Sequence, residues 1–191
     1  NIKCDNEGTS FVCTFKGDKK KYEFQTRLLG KHNVYNILAS VALGYEFGIS
    51  IEKLQHAVRK VKTIEHRLEI KKFPNFYQID DAYNSNPVGA SSALDVLKMM
   101  DGTKVVVTPG MVELGKKEKE ENYAFGKKIA SSCDYVILVG EKRTKVIYKA
   151  LIEEGFNEEN IFVLNRVVDA YPIINALKEE KKDIYALFEN D

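Results

Sequence analysis

One polar cluster follows a short apolar stretch and contains side chains that could bind a ligand. In the segment 79–87, IDDAYNSNP, the apolar approach ends in Asp80 and Asp81. Carboxylates at a strand end can accept hydrogen bonds from ribose hydroxyls or help to hold a metal ion. Tyr83 offers a flat surface for a base, and Pro87 suits the first turn of a following helix.

The same cluster has a simpler interpretation. Asp80, Asp81, Asn84 and Asn86 could be turn and cap residues, because such side chains satisfy nearby backbone groups. Side chains alternate along a strand, so only one of the two aspartates can face a crevice. We expect Asp81 to face it, and Asp80 to turn toward the other side of the sheet or a backbone group.

A second cluster, TPGMVELG at 108–115, follows another strand-like stretch. Two glycines frame a loop with one carboxylate, Glu113, which is a candidate for the wall of a substrate cleft. An ordinary loop between a strand and a helix is the alternative.

A third polar group stands at a helix start, GKHNVYN at 30–36. It is not a phosphate loop, because Gln25 and His32 occupy the places of the required glycine and hydroxyl residue. Asn33 and Asn36 lie about 60° apart on a helix, and His32 and Asn36 about 40° apart. An amide offers donors and an acceptor that suit the edge of adenine, whereas a helix cap with solvated neighbours is the alternative.

Arg67, in EHRLE, lies between the predicted helix pair and the polar segment KKFPNF, near the proposed domain boundary. A guanidinium there could reach a phosphate held between domains, and a surface salt bridge is the alternative.

The first third of the chain predicts a hairpin and a pair of helices. SFVCTF and KYEFQT are the strands, and Gly48 and Ser50 separate the helices. The first helix has apolar residues at helical spacing: Val34, Ile37, Leu38, Val41, Ala42 and Tyr45. The segment KKFPNF at 71–76 is predicted to be a polar connector at a domain boundary.

After this connector, strands and helices alternate. Strands are predicted at 76–79, 104–108, 135–139, 161–164 and 184–188, with helices at 88–100, 118–132, 142–154 and 168–178. This order indicates an α/β fold with a mostly parallel sheet and flanking helices. Ligands of such sheets bind at the carboxyl ends of the strands, where both polar clusters are predicted to lie.

Composition excludes several classes of function. The net charge is +1, so no bulk charge favours a nucleic-acid partner, and no apolar stretch has the length of a membrane span. The three cysteines lack metal-type spacing and are interpreted as reduced thiols of a cytoplasmic protein.

The order of these motifs resembles the Mur ligase family over nearly the whole chain. The resemblance is carried by LLGKHNVYNILASVALGYEFGIS, EHRLE, IDDAYNSNPVGASSALDVL and VVVTPGMVELG. Within the family, DDAYNSNP beside GMVELG resembles the branch that adds D-alanyl-D-alanine. Thr108–Pro109 departs from the glycine-rich turn of many relatives.

The resemblance implies two partial domains. Residues 1–66 resemble the end of the central ATPase domain, and 67–191 resemble most of a Rossmann-like C-terminal domain, truncated at its end. The chain is therefore expected to be a fragment without catalytic residues of its own, because the phosphate loop, the magnesium ligands and a modified lysine would precede Asn1.

The resemblance also assigns nucleotide contacts residue by residue. Asn36 would contact adenine beside His32 and Asn33, Arg67 would reach phosphates, and Asp81 would bind the ribose. Tyr83, Asn84 and Asn86 would lie near the nucleotide.

The implied parent is an ATP-dependent amide ligase of peptidoglycan precursor synthesis. It would use ATP and Mg²⁺ to join D-alanyl-D-alanine to a UDP-N-acetylmuramoyl-tripeptide through an acyl phosphate. Two alternatives remain: a related amidoligase with a different cell-wall substrate, and a noncatalytic nucleotide-binding module.

Overall fold

The chain folds as two compact units. The computed structural model describes residues 2–83 and 85–190. The first unit ends at Ile64 and the second begins at Glu65, whereas the sequence placed the division between residues 66 and 67. Each unit has its own sheet and its own core.

The first unit consists of an antiparallel sheet and two helices. Its strands are β1 (Ile2–Asp5), β2 (Gly8–Cys13) and β3 (Tyr22–Thr26), and its helices are α1 (Lys31–Glu46) and α2 (Ile51–Arg59). The predicted hairpin and helix pair correspond to β2, β3, α1 and α2. The sequence did not predict β1, which lies at the edge of the sheet.

Two stacked rings lie at the centre of this unit. The ring centroids of Phe11 and Phe24 are 5.5 Å apart, and both residues pack against Val34, Ile37 and Val41 of α1. Ala42 and Tyr45 were predicted to be part of the buried stripe and are exposed instead. The buried face is narrower than predicted because α1 packs through positions 34, 37, 41 and 44.

The second unit is a layered α/β fold. Its strands are β4 (Glu69–Phe73), β5 (Phe76–Asp81), β6 (Thr103–Thr108), β7 (Tyr135–Val139), β8 (Ile161–Leu164) and β9 (Ile184–Glu189). Its helices are α3 (Pro87–Met99), α4 (Glu118–Ala130), α5 (Glu141–Glu153) and α6 (Ala170–Glu180). The sheet order is β4-β5-β9-β6-β7-β8, and every pairing except β4–β5 is parallel. The predicted fold class is confirmed.

The predicted polar connector at 71–76 is wrong. These residues form most of a β-hairpin in which Phe73 pairs with Phe76, and Asn75 takes a left-handed φ of 56° in the turn. The sequence signal is weak because β4 is an edge strand with no fully buried residue. The hairpin places Glu69 opposite Asp80.

Strand β9 inserts between β5 and β6 although it comes last in the chain. It is buried along its whole length and pairs with both neighbours. As a result, Asp81, Glu189 and Thr108 lie at the carboxyl ends of three adjacent strands.

Within residues 2–83 and 85–190, none of the helices has the length and apolar character needed to cross a lipid bilayer.

Candidate functional site

The backbone around Arg67 has an unusual conformation. His66 and Leu68, on either side of it, have left-handed φ angles of 59° and 49°. The end of β5 holds both residues in place, because the Tyr83 amide donates to the His66 carbonyl at 3.2 Å and the Leu68 amide donates to Asp81 Oδ1 at 3.1 Å. Arg67 is therefore fixed beside the first polar cluster.

Three of the residues predicted to bind nucleotide come together here, and we call them the Arg67 cluster: Arg67, Asp81 and Tyr83. The guanidinium carbon of Arg67 lies 4.6 Å from the centroid of the Tyr83 ring. Asp81 is half-buried and interacts electrostatically with Arg67, and Tyr83 is exposed. The cluster thus combines a cation, a carboxylate and an aromatic surface on one side of the strand end.

Opposing effects act on the carboxyl of Asp81. Burial raises its pKa, and the nearby charge of Asp80 raises it further. The hydrogen bond from the Leu68 amide and the charge of Arg67 lower the pKa, but the net shift is upward. A hydroxyl donor that reached Asp81 would stabilise its ionised form.

Asp80 points to the opposite side of β5. Its Oδ2 lies 2.6 Å from Lys71 Nζ and 3.0 Å from His66 Nδ1, and its Oδ1 accepts from the Ala82 amide. Burial alone would raise its pKa, but the hydrogen bonds from Lys71 and His66 outweigh burial and hold the pKa below its usual range. Asp80 is therefore a partnered carboxylate.

A cavity of about 820 Å³ opens at the carboxyl ends of the parallel strands. We call it the carboxyl-end cavity. Asp80 lines it, whereas Asp81 does not. Its lining also includes Ala82, Pro109, Val139, Gly140, Lys142, Arg143, Asn165, Arg166, Tyr171 and Asn190.

One wall of this cavity is lined by three cations, Lys142, Arg143 and Arg166, and by one acid, Glu141. Lys142 and Arg143 are exposed in the first turn of α5, where the helix dipole also favours an anion. Neither forms an ion pair with another residue among 2–83 and 85–190. Arg166 differs, because Asp169 accepts from its Nη2 at 2.7 Å and its Nε at 3.1 Å. The wall suits a carboxylate or phosphate.

The polar group at the start of α1 belongs to the first unit. Asn33 Nδ2 donates to the Leu29 carbonyl at 2.8 Å, so its amide stabilises the helix start. His32 and Asn36 are exposed on the same helix. The amide of Asn36 is the one that remains accessible to a ligand.

The remaining predicted residues differ in their environment. Asn86 is the N-cap of α3 and accepts from the Gly89 amide at 2.9 Å, which supports its interpretation as a cap. Glu113 is exposed with a left-handed φ of 63°, and it does not line the carboxyl-end cavity. Asn84 lies outside the residues that the structure describes.

One buried acid, Glu189, was not predicted from the sequence. It is 1% exposed at the end of β9 and accepts hydrogen bonds from Ser85 and Thr108. A single polar residue that ends the apolar run IYALF was the available signal, and it does not reveal the partners.

Among residues 2–83 and 85–190, no three His, Cys, Asp or Glu side chains gather in a group that could hold a metal ion.

Comparison with known proteins identifies the family of the chain. The family model "Mur ligase, glutamate ligase domain" matches residues 66–187, and the "Mur ligase middle domain" model matches residues 1–44. The chain belongs to the Mur ligase family. The resemblance inferred from the motifs is confirmed.

Curated members of the family include two informative relatives. The UDP-N-acetylmuramoyl-tripeptide–D-alanyl-D-alanine ligase of Buchnera aphidicola is 30% identical over 95% of this chain and 38% of its own length. The UDP-N-acetylmuramoylalanine–D-glutamate ligase of Caldanaerobacter subterraneus is 28% identical over 74% of the chain and 30% of its own length. More than one Mur ligase branch therefore matches.

Solved structures of the family share this fold. MurF from Acinetobacter baumannii superposes with a TM-score of 0.80 at 23% identity, covering 100% of this chain and 41% of that protein. MurF from Thermotoga maritima in complex with ADP gives 0.71 at 20% identity, covering 97% and 44%. The chain spans less than half the length of the relatives it matches.

Proposed function

We propose that this chain is part of an ATP-dependent ligase that joins D-alanyl-D-alanine to a UDP-N-acetylmuramoyl-tripeptide. The observation that carries the proposal is the Arg67 cluster, in which residues from two separate motifs meet at one strand end. Membership of the Mur ligase family supports the reaction class, and the Buchnera relative supports the choice of branch.

The nucleotide would bind at the Arg67 cluster. Asp81 would accept from a ribose hydroxyl, Arg67 would neutralise a phosphate, and Tyr83 would lie against the nucleoside. The exposed amide of Asn36 would contact the edge of adenine. The Thermotoga maritima MurF structure, described as a complex with ADP, supports a nucleotide in this family.

The proposed reaction has two steps. The terminal carboxylate of the tripeptide takes the γ-phosphoryl group of ATP, giving an acyl phosphate and ADP. The amine of D-alanyl-D-alanine then attacks the carbonyl carbon, and phosphate leaves from a tetrahedral intermediate. Mg²⁺ would neutralise phosphate charge from ligands outside the described residues. The residues of this chain would bind and orient the reactants, which lowers the barrier by positioning.

The acceptor would occupy the carboxyl-end cavity. D-Alanyl-D-alanine carries a carboxylate, and Lys142 and Arg143 present two cations without acidic partners in the described chain. A charge-assisted hydrogen bond to one of them would orient the dipeptide amine. Glu113 remains a candidate for the wall of the substrate cleft, although it does not line the carboxyl-end cavity.

A sibling ligase with a different amino component is the second candidate. The match to the D-glutamate ligase favours it, because that relative is only slightly less identical than the Buchnera enzyme. A noncatalytic nucleotide-binding module is the third candidate, and it predicts nucleotide binding without product.

The experiment is a ligation assay on the complete protein that contains this chain. ATP is supplied with matched pairs of UDP-muramoyl substrate and amino component: the tripeptide with D-alanyl-D-alanine, the monopeptide with D-glutamate, and the unsubstituted muramate with L-alanine. Mass spectrometry should detect product with D-alanyl-D-alanine and ATP together. Product from another pair would establish a sibling ligase, and nucleotide binding without any product would overturn the enzyme proposal.

A variant pair tests the place of the acceptor. Arg143→Ala should raise the KM for the dipeptide about 10-fold or more, the effect of losing one charge-assisted hydrogen bond. Lys145→Ala is the matched control, because Lys145 is exposed on the same helix and does not line the cavity. Equal KM values in the two variants would place the dipeptide carboxylate elsewhere.

A further inference from the structure

Strand β9 ends in a buried carboxylate that binds two other segments at once. Ser85 Oγ, in the loop after β5, donates to Glu189 Oε1. Thr108 Oγ1, at the end of β6, donates to Glu189 Oε2 at 3.1 Å. Glu189 is 1% exposed and Thr108 is fully buried, so the hydrogen bond between them is shielded from water, whereas Ser85 is half-buried.

The neighbouring residue, Asn190, strengthens the same connection. Its backbone amide donates to the Asp81 carbonyl at 3.4 Å, and its Nδ2 donates to the Gly110 carbonyl at 2.7 Å. The Gly110 amide in turn donates to Thr108 Oγ1 at 3.0 Å. The end of β9 is therefore bonded to the loop after β5 and to the loop after β6.

These two loops belong to different parts of the site. The loop after β5 carries Tyr83 of the Arg67 cluster, and the loop after β6 contributes Pro109 to the carboxyl-end cavity. The β9 end is the element that lies between them in the sheet. A change there would act on both places, although Glu189 is in neither.

We propose that Glu189 is a positioning residue, whose side chain fixes the Arg67 cluster and the carboxyl-end cavity relative to each other by holding Ser85 and Thr108. The part of this inference that concerns ATP and the dipeptide rests on the proposed function. The coupling of the two loops is a property of the fold and does not depend on it.

The electrostatics of Glu189 are consistent with this role. The net pKa of Glu189 is raised to about 7, because burial and the charge of Asp81 raise it by more than the hydrogen bonds from Ser85 and Thr108 lower it. The two hydroxyls therefore favour the ionised form of the carboxyl and oppose the effect of burial. Loss of either hydroxyl leaves a buried acceptor without its donor.

Hydrogen exchange of the 191-residue chain tests the coupling directly. The reporters are the Tyr83 and Gly110 amides, one in each loop and both hydrogen-bonded. Glu189→Ala should speed exchange at both about 3- to 10-fold, the range expected for one hydrogen bond. Glu189→Gln keeps the size and part of the bonding, and it should restore much of the protection.

Two variants that each remove one of the hydroxyls bonded to Glu189, and a packing control, make this test specific. Ser85→Ala should speed exchange at Tyr83 alone. Thr108→Val also removes the acceptor of the Gly110 amide, so its informative result is unchanged exchange at Tyr83. Ile129→Val is the matched control, because Ile129 is fully buried in the last turn of α4 and its apolar side chain forms no hydrogen bond with Ser85, Thr108 or Glu189. Unchanged exchange at either reporter in Glu189→Ala, or equal changes in Ile129→Val, would overturn the proposal.

Kinetics of the complete ligase provide a second readout. Glu189→Ala should raise the KM for ATP and the KM for the dipeptide together, each about 3- to 10-fold. A variant that is merely less stable would lower the active fraction and hence kcat, with both KM values unchanged. A kcat effect alone would therefore contradict the proposal. If the wild-type protein ligates nothing, the proposed function fails while the exchange result still decides the coupling.

Discussion

The guanidinium carbon of Arg67 lies 4.6 Å from the centroid of the Tyr83 ring. The two residues come from different motifs, and the contact depends on a backbone that is left-handed on both sides of Arg67. Non-glycine residues rarely adopt this conformation, and it costs free energy. Here hydrogen bonds to Tyr83 and Asp81 hold it in place, so the geometry of Arg67 is set by the end of β5.

Tyr83 tests whether the aromatic surface contributes to nucleotide binding. In the complete protein, Tyr83→Ala should raise the KM for ATP about 2- to 5-fold, because an exposed cation–π contact is worth about 0.5–1 kcal/mol. Tyr83→Phe is the matched control, since it keeps the ring over Arg67, and it should change the KM by less than about 2-fold. ATP kinetics on both variants provide the measurement, and identical values for Ala and Phe would exclude a role for the ring.

The adjacent aspartates should separate binding from stability. Asp81→Ala should lower kcat/KM for ATP roughly 10- to 150-fold, the range for a hydrogen bond to a charged group, and should cost about 0.5–1.5 kcal/mol of stability because the Leu68 amide loses its acceptor. Asp80→Ala should lower the free energy of unfolding by about 1–3 kcal/mol, because Lys71 and His66 lose their shared partner. ATP kinetics and thermal melting of both variants decide the assignment. The reverse pattern would move the nucleotide to the side of β5 that faces the carboxyl-end cavity.

Local sequence patterns were sufficient to predict most of the strands and helices of the second unit. The predicted bounds of β7 and β8 agree with the structure, and the other predicted strands and helices of this unit differ by no more than two residues. Apolar runs and helical periodicity report these elements because both faces of the sheet are covered. The edge strand β4 has no such signal, so it was missed.

Long-range relationships could not be predicted in the same way. No local pattern shows that β9 inserts between β5 and β6. The hydrogen bonds of Glu189 with Ser85 and Thr108 therefore could not be predicted from the sequence. The alternation of Asp80 and Asp81 was predictable because it follows from strand geometry alone. Asp81 was expected to face a crevice, but Asp80 is the one that lines the carboxyl-end cavity, because the position of the cavity depends on the strands that surround β5.

Asn36 provides a test in the first unit. Asn36→Ala should raise the KM for ATP roughly 3- to 10-fold, the effect of one lost hydrogen bond of about 0.5–1.5 kcal/mol. The KM for the dipeptide should be unchanged, because this amide is expected to contact adenine only. Ser40→Ala is the control, since Ser40 is exposed one turn later and donates to the Asn36 carbonyl. Equal ATP kinetics in the two variants would indicate that the polar residues at the start of α1 stabilise the helix and do not contact the nucleotide.

Glu189 predicts a pH dependence of stability. Its pKa is about 7 in the folded protein and 4.5 as the ordinary value, so the folded state binds more protons between these limits. The free energy of unfolding should therefore fall as the pH rises from about 4.5 to about 7, by on the order of 1–3 kcal/mol. The glutamine in Glu189→Gln cannot titrate, so the free energy of unfolding of this variant should fall less over the same pH range.

Denaturant unfolding at pH 5, 6, 7 and 8 provides the measurement, with Ile129→Val as a control that keeps the carboxyl. The wild type and Ile129→Val should show parallel pH profiles, and the profile of Glu189→Gln should be flatter. Three parallel profiles would show that Glu189 has an ordinary pKa.

The most direct test of the nucleotide site is a crystal structure of the complete protein with a non-hydrolysable ATP analogue. We expect a ribose hydroxyl within hydrogen-bonding distance of the Asp81 carboxylate, and a phosphate oxygen beside the Arg67 guanidinium. A nucleotide bound in the carboxyl-end cavity, with its phosphates on Lys142 and Arg143 and none of its atoms near Arg67 or Asp81, would contradict the account.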